Sequence, residues 1–215
     1  FHLPQTETDP RGNTTTYAYD TFNLYPITVT NALSHATNFE YDYRFGKAIK
    51  TTDANGLVSK VTLDGLGREA KQEYTVPRTR PDNSFFTKKT ATYELYEQDG
   101  EVGGWKTTEE NWLDTPDAAQ PRKNKVITYT DGFDRPVQIR AQAESQFSVL
   151  DTVYNNIGQV DKTSLPYFSD GEARTAASTD AALFASLSYD PLYRVASSTD
   201  AVGTTSNAYD DWKVT

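Results

Sequence analysis

The sequence contains no cysteine and no methionine, and only two of its 215 residues are histidines. The lack of cysteine excludes disulfides and cysteine-ligated zinc sites. His2 and His35 are too few for a histidine metal cluster, and we expect His35 to be a solvated turn residue instead of a catalytic base. Since methionine is missing even at position 1, we expect a processed product or a fragment of a longer protein.

Long apolar runs and positive charge are also scarce. No segment approaches the ~18 consecutive apolar residues of a membrane-spanning helix, so we expect no membrane span. Lys and Arg number 21 against 30 Asp and Glu, and a net charge of -9 makes a nucleic-acid partner unfavourable. Hydrophobic residues make up 36% of the chain, with 14 Tyr and 10 Phe among them. Aromatic side chains in place of aliphatic ones favour β-strands over helices.

One short unit recurs along the chain: a residue that is most often Tyr, followed by Asp or Asn. The Asp or Asn positions of the seven copies are Asp20, Asp42, Asp64, Asp131, Asn155, Asp190 and Asp210. Their spacing follows a period of about 22 residues, and a second turn signal lies about halfway between copies. These second signals begin at Asp9, Asn31, Asp53 and Asp200. A step of about 11 residues holds one strand and one tight turn, so the repeat predicts an all-β, antiparallel β-meander of hairpins.

The Asp and the Tyr of each unit have separate structural roles. An Asp that opens a turn accepts hydrogen bonds from backbone N–H groups two and three residues on, and the third residue readily takes a left-handed conformation. The Tyr lies at a strand end, where we expect its ring to stack on the next repeat and its hydroxyl to stay near water. A glycan- or metal-binding row is the alternative, but a pair that recurs at every period favours the structural interpretation.

The periodicity divides the chain into three stretches of one continuous repeat domain. Residues 1–74 and 126–215 carry the repeats, and residues 75–125 form an insertion. The insertion is expected to contain a hairpin from Thr90 to about Glu110, turning at Asp99-Gly100, and then a polar loop. A smaller polar excursion over residues 169–182 has the composition for one or two helical turns.

The acidic residues offer few candidates for chemistry. Glu109-Glu110 with Asp114 and Asp117 is the one stretch where paired carboxylates of a glycoside hydrolase are conceivable, and we expect a solvated acidic face there instead. Asp53 to Asp64 lacks the glycine position of a calcium loop. Gly103-Gly104-Trp105 lacks the lysine of a phosphate-binding loop. We therefore predict no catalytic residue, no metal site and no cofactor, and a protein that is not an enzyme.

The repeated units resemble the YD repeats of Rhs proteins, teneurins and the BC components of insecticidal Tc toxins. Asp64-Gly65-Leu66-Gly67-Arg68 matches the Asp-x-x-Gly-Arg pattern without substitution. Residues 41–52, 129–144 and 164–168 look most like the central part of the SpvB/TcB-type subgroup. The resemblance implies a segment of a larger spiralling β-sheet shell that encloses a C-terminal toxic polypeptide. It also implies a bacterial protein that is secreted or at the cell surface. Its partners would be the rest of the shell, the enclosed toxin and a translocation or injection component.

A second function class remains open, a cell-surface adhesion or carbohydrate-binding module. In that interpretation, exposed rings such as Trp105, Trp112 and Trp212 would stack on sugars. The position of the aromatic side chains separates the two classes. Rings inside the sheet favour the shell, and a contiguous exposed aromatic patch favours adhesion.

Overall fold

The chain folds almost entirely into β-strands in the computed structural model. The residues that it describes are 3–75, 84–98, 100–113, 122–177, 180, 183–210 and 213–214. More than half of the described residues lie in strands, and every pairing whose register is defined is antiparallel. The predicted fold class is therefore confirmed. Among the described residues there is no helix of the length and apolarity that a membrane crossing requires.

Contacts divide the chain into two compact units, residues 1–91 with 110–123 and residues 92–109 with 124–215. Two long strands contribute to both, β8 (Phe85–Gln98) and β9 (Glu101–Trp112). They flank Gly100, which has a left-handed φ of 83°. Asp99 and residues 114–121 lie outside the described residues, as do most of residues 178–182. The boundaries proposed for the insertion, 75 and 125, stay a prediction.

The first unit is a meander in which each strand pairs with the next one in the chain. Its strands before β8 are β1 (Thr6–Thr8), β2 (Thr14–Tyr19), β3 (Pro26–Thr30), β4 (Ala36–Asp42), β5 (Lys47–Thr52), β6 (Val58–Leu63) and β7 (Glu69–Thr75). The turns that begin at Asp20, Asp42 and Asp64 follow β2, β4 and β6. Alternate strands of a meander run in the same direction, so these three turns share one edge of the unit.

The second unit repeats this plan with one change of partner. Its strands after β9 are β10 (Lys123–Thr130), β11 (Pro136–Ala143), β12 (Gln146–Tyr154), β13 (Val160–Ser164), β14 (Tyr167–Ser169), β15 (Phe184–Tyr189), β16 (Val195–Thr199), β17 (Thr204–Ser206), β18 (Tyr209–Asp210) and β19 (Lys213–Val214). The first half of β12 pairs with β14 and the second half with β13, which in turn pairs with β15. The turns at Asp131, Asn155 and Asp190 again share one edge.

One sheet face of the second unit carries the core. The apolar side chains buried there are Ile127, Tyr129, Phe147 and Val149, which form one contiguous cluster. Side chains on a strand alternate between faces, so the residues in phase with them must be buried as well. Three of these are polar, namely Gln138 and Arg140 on β11 and Asp151 on β12. This face therefore buries three polar side chains beside four apolar ones.

The turns at Asp64, Asp131, Asn155 and Asp190 share one backbone geometry, and those at Asp20 and Asp42 are each one residue longer. At Asp64, the Gly67 N–H donates to the Asp64 carbonyl (3.1 Å) and the Asp64 N–H donates to the Arg68 carbonyl (2.8 Å). Gly67, three residues after the Asp, is left-handed with a φ of 78°. This is the three-residue hairpin loop in which a left-handed residue follows a type I turn. In six of the seven repeat units, the strand register also shifts between the two residues that precede the Asp or Asn. Such a shift increases the local twist of the strands.

Substitution of Gly67 tests this geometry, and the second glycine of the turn, Gly65, provides a control. We expect Gly67→Ala to lower the free energy of unfolding by about 2–4 kcal/mol, since its left-handed backbone disfavours a Cβ and the ring of Phe45 would lie 2.5 Å from it. Gly65→Ala is the control, because its Cβ would meet open space. Urea denaturation followed by circular dichroism measures both variants. Equal midpoints for the two would contradict the assigned turn.

Candidate functional site

The Asp carboxylate organises each turn from its first position. Asp64 Oδ1 accepts the N–H groups of Leu66 (2.8 Å) and Arg68 (2.9 Å). The donors thus lie two and four residues on, so the expectation of two and three is wrong for this turn. The N–H of the third residue after the Asp already donates to the Asp carbonyl, so the N–H of the fourth residue faces the carboxylate. The same pair of contacts recurs at Asp9, Asn31, Asp53, Asp131, Asn155 and Asp190.

Three of these carboxylates also bind the side chain of an arginine that lies four residues further along the chain. The Nε atoms of Arg68, Arg135 and Arg194 donate to Oδ2 of Asp64, Asp131 and Asp190 at 2.7, 2.8 and 2.7 Å. Burial opposes ionisation of Asp131, but the side-chain and backbone hydrogen bonds from Arg135 hold its pKa below the ordinary value of 3.8. A folded-state pKa below the unfolded value stabilises the turn above that value, and the contribution is lost as the pH falls through the folded-state pKa.

In four of the seven repeat units, the Tyr contacts the turn of the previous repeat unit. Tyr41 donates its hydroxyl hydrogen to the carbonyl of Pro26 (3.1 Å), the first strand residue after the Asp20 turn. The equivalent bonds run from Tyr154 to Pro136, from Tyr189 to Val160 and from Tyr209 to Val195. In each case the acceptor is the residue with which the strand resumes after the previous turn. The hydroxyl is therefore bonded to protein, where the sequence pattern suggested water.

A side chain from one turn also covers the Tyr ring of the next unit. The guanidinium of Arg135 lies 4.4 Å from the ring centre of Tyr154, and that of Arg194 lies 4.1 Å from the ring of Tyr209. At Tyr41 a stacked ring replaces the cation, because the ring centres of Tyr25 and Tyr41 lie 4.7 Å apart in a stacked arrangement. The predicted ring-on-ring contact occurs in that copy. Cation–π contact takes its place in the other two.

The second candidate site is a buried polar cluster of Gln138, Arg140 and Asp151. Arg140 is 0% exposed, and an arginine stays charged in a protein. Its Nη2 donates to the carbonyls of Asp170 and Gly171, both at 2.9 Å, and its Nη1 donates to Gln138 Oε1 at 3.2 Å. Main-chain carbonyls thus satisfy the guanidinium, which lowers the cost of burying the charge.

Asp151 lies opposite Gln138 in the register of β11 and β12. Its carboxylate accepts hydrogen bonds from Gln138 Nε2 (2.7 Å) and from the hydroxyl of Tyr167 (2.8 Å). Its backbone N–H donates to Ser164 Oγ at 2.8 Å. Burial and the hydrogen bond to Asp151 raise the pKa of Tyr167. The cluster is therefore a closed network of donors and acceptors.

The cluster binds one stretch of chain, residues 169–175, which we call the covering segment. Besides the Arg140 contacts, Tyr129 donates its hydroxyl to the Glu172 carbonyl (2.7 Å), and Lys125 pairs with the Glu172 carboxylate (2.6 Å). Gln138 donates to the Thr175 carbonyl (3.1 Å) and accepts from the Thr175 N–H (3.2 Å). Side chains of β10 and β11 therefore grip this segment mainly through its backbone.

The arrangement is suited to holding structure. A cleft beside the cluster is lined by Asp131, Arg135, Asp151 and Arg174, but both carboxylates already have protein partners. In the part of the chain that the structure describes, no three His, Asp or Glu side chains come together as a metal ion requires. His35 is exposed at the end of the Asn31 turn, where only its backbone is used.

The remaining candidates are scattered. Glu109 and Glu110 are half-buried on β9, and Glu110 pairs with Lys123 (3.0 Å). Asp114, Asp117 and Trp212 lie outside the described residues. Trp105 and Trp112 are half-buried, with the Lys123 ammonium 4.3 Å from the ring centre of Trp112.

Sequence reasoning missed the buried cluster. On β11, Gln138 and Arg140 alternate with Val137 and Ile139, so the apolar pair looks like the core face when the actual core face is the polar one. Asp151 left a clearer signal on β12, since it stands in phase with Phe147 and Val149. A carboxylate in phase with two core residues predicts a buried polar contact.

Similarity to known proteins was found in structure alone. No family model and no curated protein matches the sequence. The crystal structure of TcdB2-TccC3-Cdc42 superposes with a TM-score of 0.82 at 16% identity, over 97% of this chain and 15% of that chain. The Photorhabdus luminescens Tc holotoxin pore with the TccC3-D651A mutation superposes at 0.76 and 16% identity, over 93% of this chain and 14% of that one. This chain shares their fold. It spans about a seventh of the length of either.

The tyrosine contact can be tested on two tyrosines of the same turn region. Tyr189→Phe removes one part-buried hydroxyl from the Val160 carbonyl, and we expect a loss of about 1 kcal/mol in the free energy of unfolding. Tyr193→Phe is the control, because Tyr193 is 67% exposed. Urea denaturation of the two variants gives the comparison. A loss as large for Tyr193→Phe would argue against the contact between units.

Arg140 tests the covering segment. We expect Arg140→Met to lower the free energy of unfolding by about 2–3 kcal/mol, because several charged hydrogen bonds are lost from a buried site. Arg140→Lys should recover only part of this, since an ammonium cannot reproduce the planar fork. Trypsin should also cut faster after Arg174, within the segment. Arg11→Met, at an exposed turn, serves as the control, and unchanged cleavage in Arg140→Met would refute the role of Arg140.

Proposed function

We propose that this chain is a structural segment of the β-sheet shell of a Tc-type toxin component, built from YD repeats of the SpvB/TcB type. The observation that carries the proposal is the superposition of 97% of the chain on TcdB2-TccC3-Cdc42 with a TM-score of 0.82. The chain matches only 15% of that protein, so a shell of comparable size would need a much longer polypeptide. The rest of that polypeptide would be the first partner of this segment.

The contacts between units support a shell function. Each turn is complete by itself through its Asp, and each Tyr joins it to the turn before, as Tyr154 joins the Asp131 turn. An array of this kind can be lengthened by further copies without a new type of contact. A wall that encloses a toxic polypeptide needs extension of this kind. We propose this encapsulating role, in a protein exported by a bacterium and delivered with a translocation component.

We further propose that the segment is not an enzyme. The acidic side chains most suited to catalysis by position, Asp131 and Asp151, are bonded to Arg135, Gln138 and Tyr167. Their bonding supports a role in stability. Adhesion to carbohydrate is the alternative, and two of the three tryptophans expected to stack on sugars, Trp105 and Trp112, are half-buried.

Encapsulation can be tested in the complete polypeptide encoded by the gene. If this segment is part of a closed wall, the C-terminal region should resist protease in the native protein and become sensitive in Arg140→Met, which loosens the wall. Arg11→Met should stay resistant. Digestion is followed by mass spectrometry of the C-terminal fragments. A C-terminal region digested equally in all three proteins, or a reading frame without further repeats, would refute the proposal.

A further inference from the structure

At the Asp131, Asn155 and Asp190 turns, which share one edge of the second unit, the residue two positions after the Asp or Asn is large, apolar and exposed. Phe133 is 82% exposed, Ile157 61% and Leu192 65%. We call these three residues the tip row. The corresponding residues of the first unit include Phe22 and Leu66, which are also exposed. Large apolar side chains exposed at successive repeats mark a surface that another molecule or segment covers.

Turn formation does not require these side chains. At this position the turn uses the backbone N–H, which donates to the Asp or Asn side chain, as from Phe133 to Asp131 (2.9 Å). The Phe133 ring also contacts the guanidinium of Arg135 (5.1 Å to the ring centre) and stays 82% exposed. Arg44 in the first unit makes the same backbone bond to Asp42 (3.0 Å) with a charged side chain. The opposite edge of the first unit has Arg11, Leu33 and Asn55 at this position, so two of its three residues there are polar. Polar residues therefore suffice for the turn, and the apolar tip row needs another explanation.

The Asp that opens each charged turn beside the tip row is paired with an Arg of the same turn. Asp131 pairs with Arg135 and Asp190 with Arg194, at 2.6 and 2.7 Å, while Asn155 and Gln159 are uncharged. The Asp131 turn also contains the exposed Asp134, so the row has a single acidic side chain beyond these pairs in a chain of net charge -9. Two such rows repel each other less than two average stretches of this acidic surface would.

The spacing of the row narrows the choice of partner. Successive turns on one edge are two strands apart, which is about 10 Å. A partner must present apolar groups at that same interval over at least three positions. A second edge of identical turns meets this requirement because its own interval is set by the same two strands.

We propose that the tip row packs against a second row of the same turns, carried by another stretch of the same polypeptide. The chain covers 15% of TcdB2-TccC3-Cdc42, so a polypeptide of that length holds several stretches of this size. The source of the second row rests on the proposed function. The apolar contact itself rests only on the tip row.

A second copy of the 215-residue chain supplies such a row in the test. Sedimentation velocity from about 1 to 100 µM should show concentration-dependent association of the unmodified chain. Replacing Phe133, Ile157 and Leu192 together by Ser should weaken it at least tenfold. Phe133→Arg, which copies the side chain found at Arg44, should also weaken it and is the safer variant for folding.

The matched control changes the same turn position on opposite edges. Leu33 and Val202 are 74% and 97% exposed, and replacing both by Ser should leave association unchanged. Circular dichroism confirms that each variant keeps its strands. A chain that stays monomeric, or a triple variant that associates as strongly as the unmodified chain, would overturn the proposal. Loss of C-terminal protease protection alone would refute encapsulation and leave this contact standing.

Discussion

The array depends on a hydrogen bond that four of the seven repeat units make, from the tyrosine hydroxyl to the carbonyl after the previous turn. A single hairpin exposes most of its surface and is marginal in water. The bond from Tyr189 to Val160 ties one hairpin to the next at the place where the chain reverses. Because the Tyr stands directly before the Asp, one dipeptide both closes its own turn and joins the preceding one. This explains why the two residues recur as a pair.

The buried Arg140 shows how the second unit accommodates a departure from the regular meander. Residues 169–175 do not continue the hairpin pattern, and their carbonyls would lack strand partners where they cover the sheet. Arg140 provides several donors in one plane for the carbonyls of Asp170 and Gly171. The covering segment in return provides the acceptors that allow a charge to be buried. Each depends on the other, so neither an apolar residue at position 140 nor a free segment would be equivalent.

Periodicity in the sequence predicted the strands and turns well because turn chemistry is local. Asp64 and the glycine three residues on specify their hairpin without reference to the remainder of the chain. The buried cluster could not be predicted in the same way. Its face of β11 is polar, and the acceptors for Arg140 come from residues about 30 positions away. A pattern read along one strand cannot reveal partners supplied by a distant segment. The tyrosine bonds were missed for a related reason, since an aromatic strand end indicates stacking but not a specific acceptor.

Comparison of the copies shows which position of the turn tolerates change. The left-handed residue, three residues after the Asp or Asn, is Gly67 or Gly158 in two turns, but Asn23, Asp134 and Tyr193 in three others. A left-handed residue with a Cβ costs about 1–2 kcal/mol. The first position, by contrast, is always Asp or Asn, whose side-chain oxygen can accept two backbone N–H groups. These two hydrogen bonds offset the left-handed cost, so the turn forms without the glycine. A fold specified by so few positions can persist at 16% identity with a TM-score of 0.82.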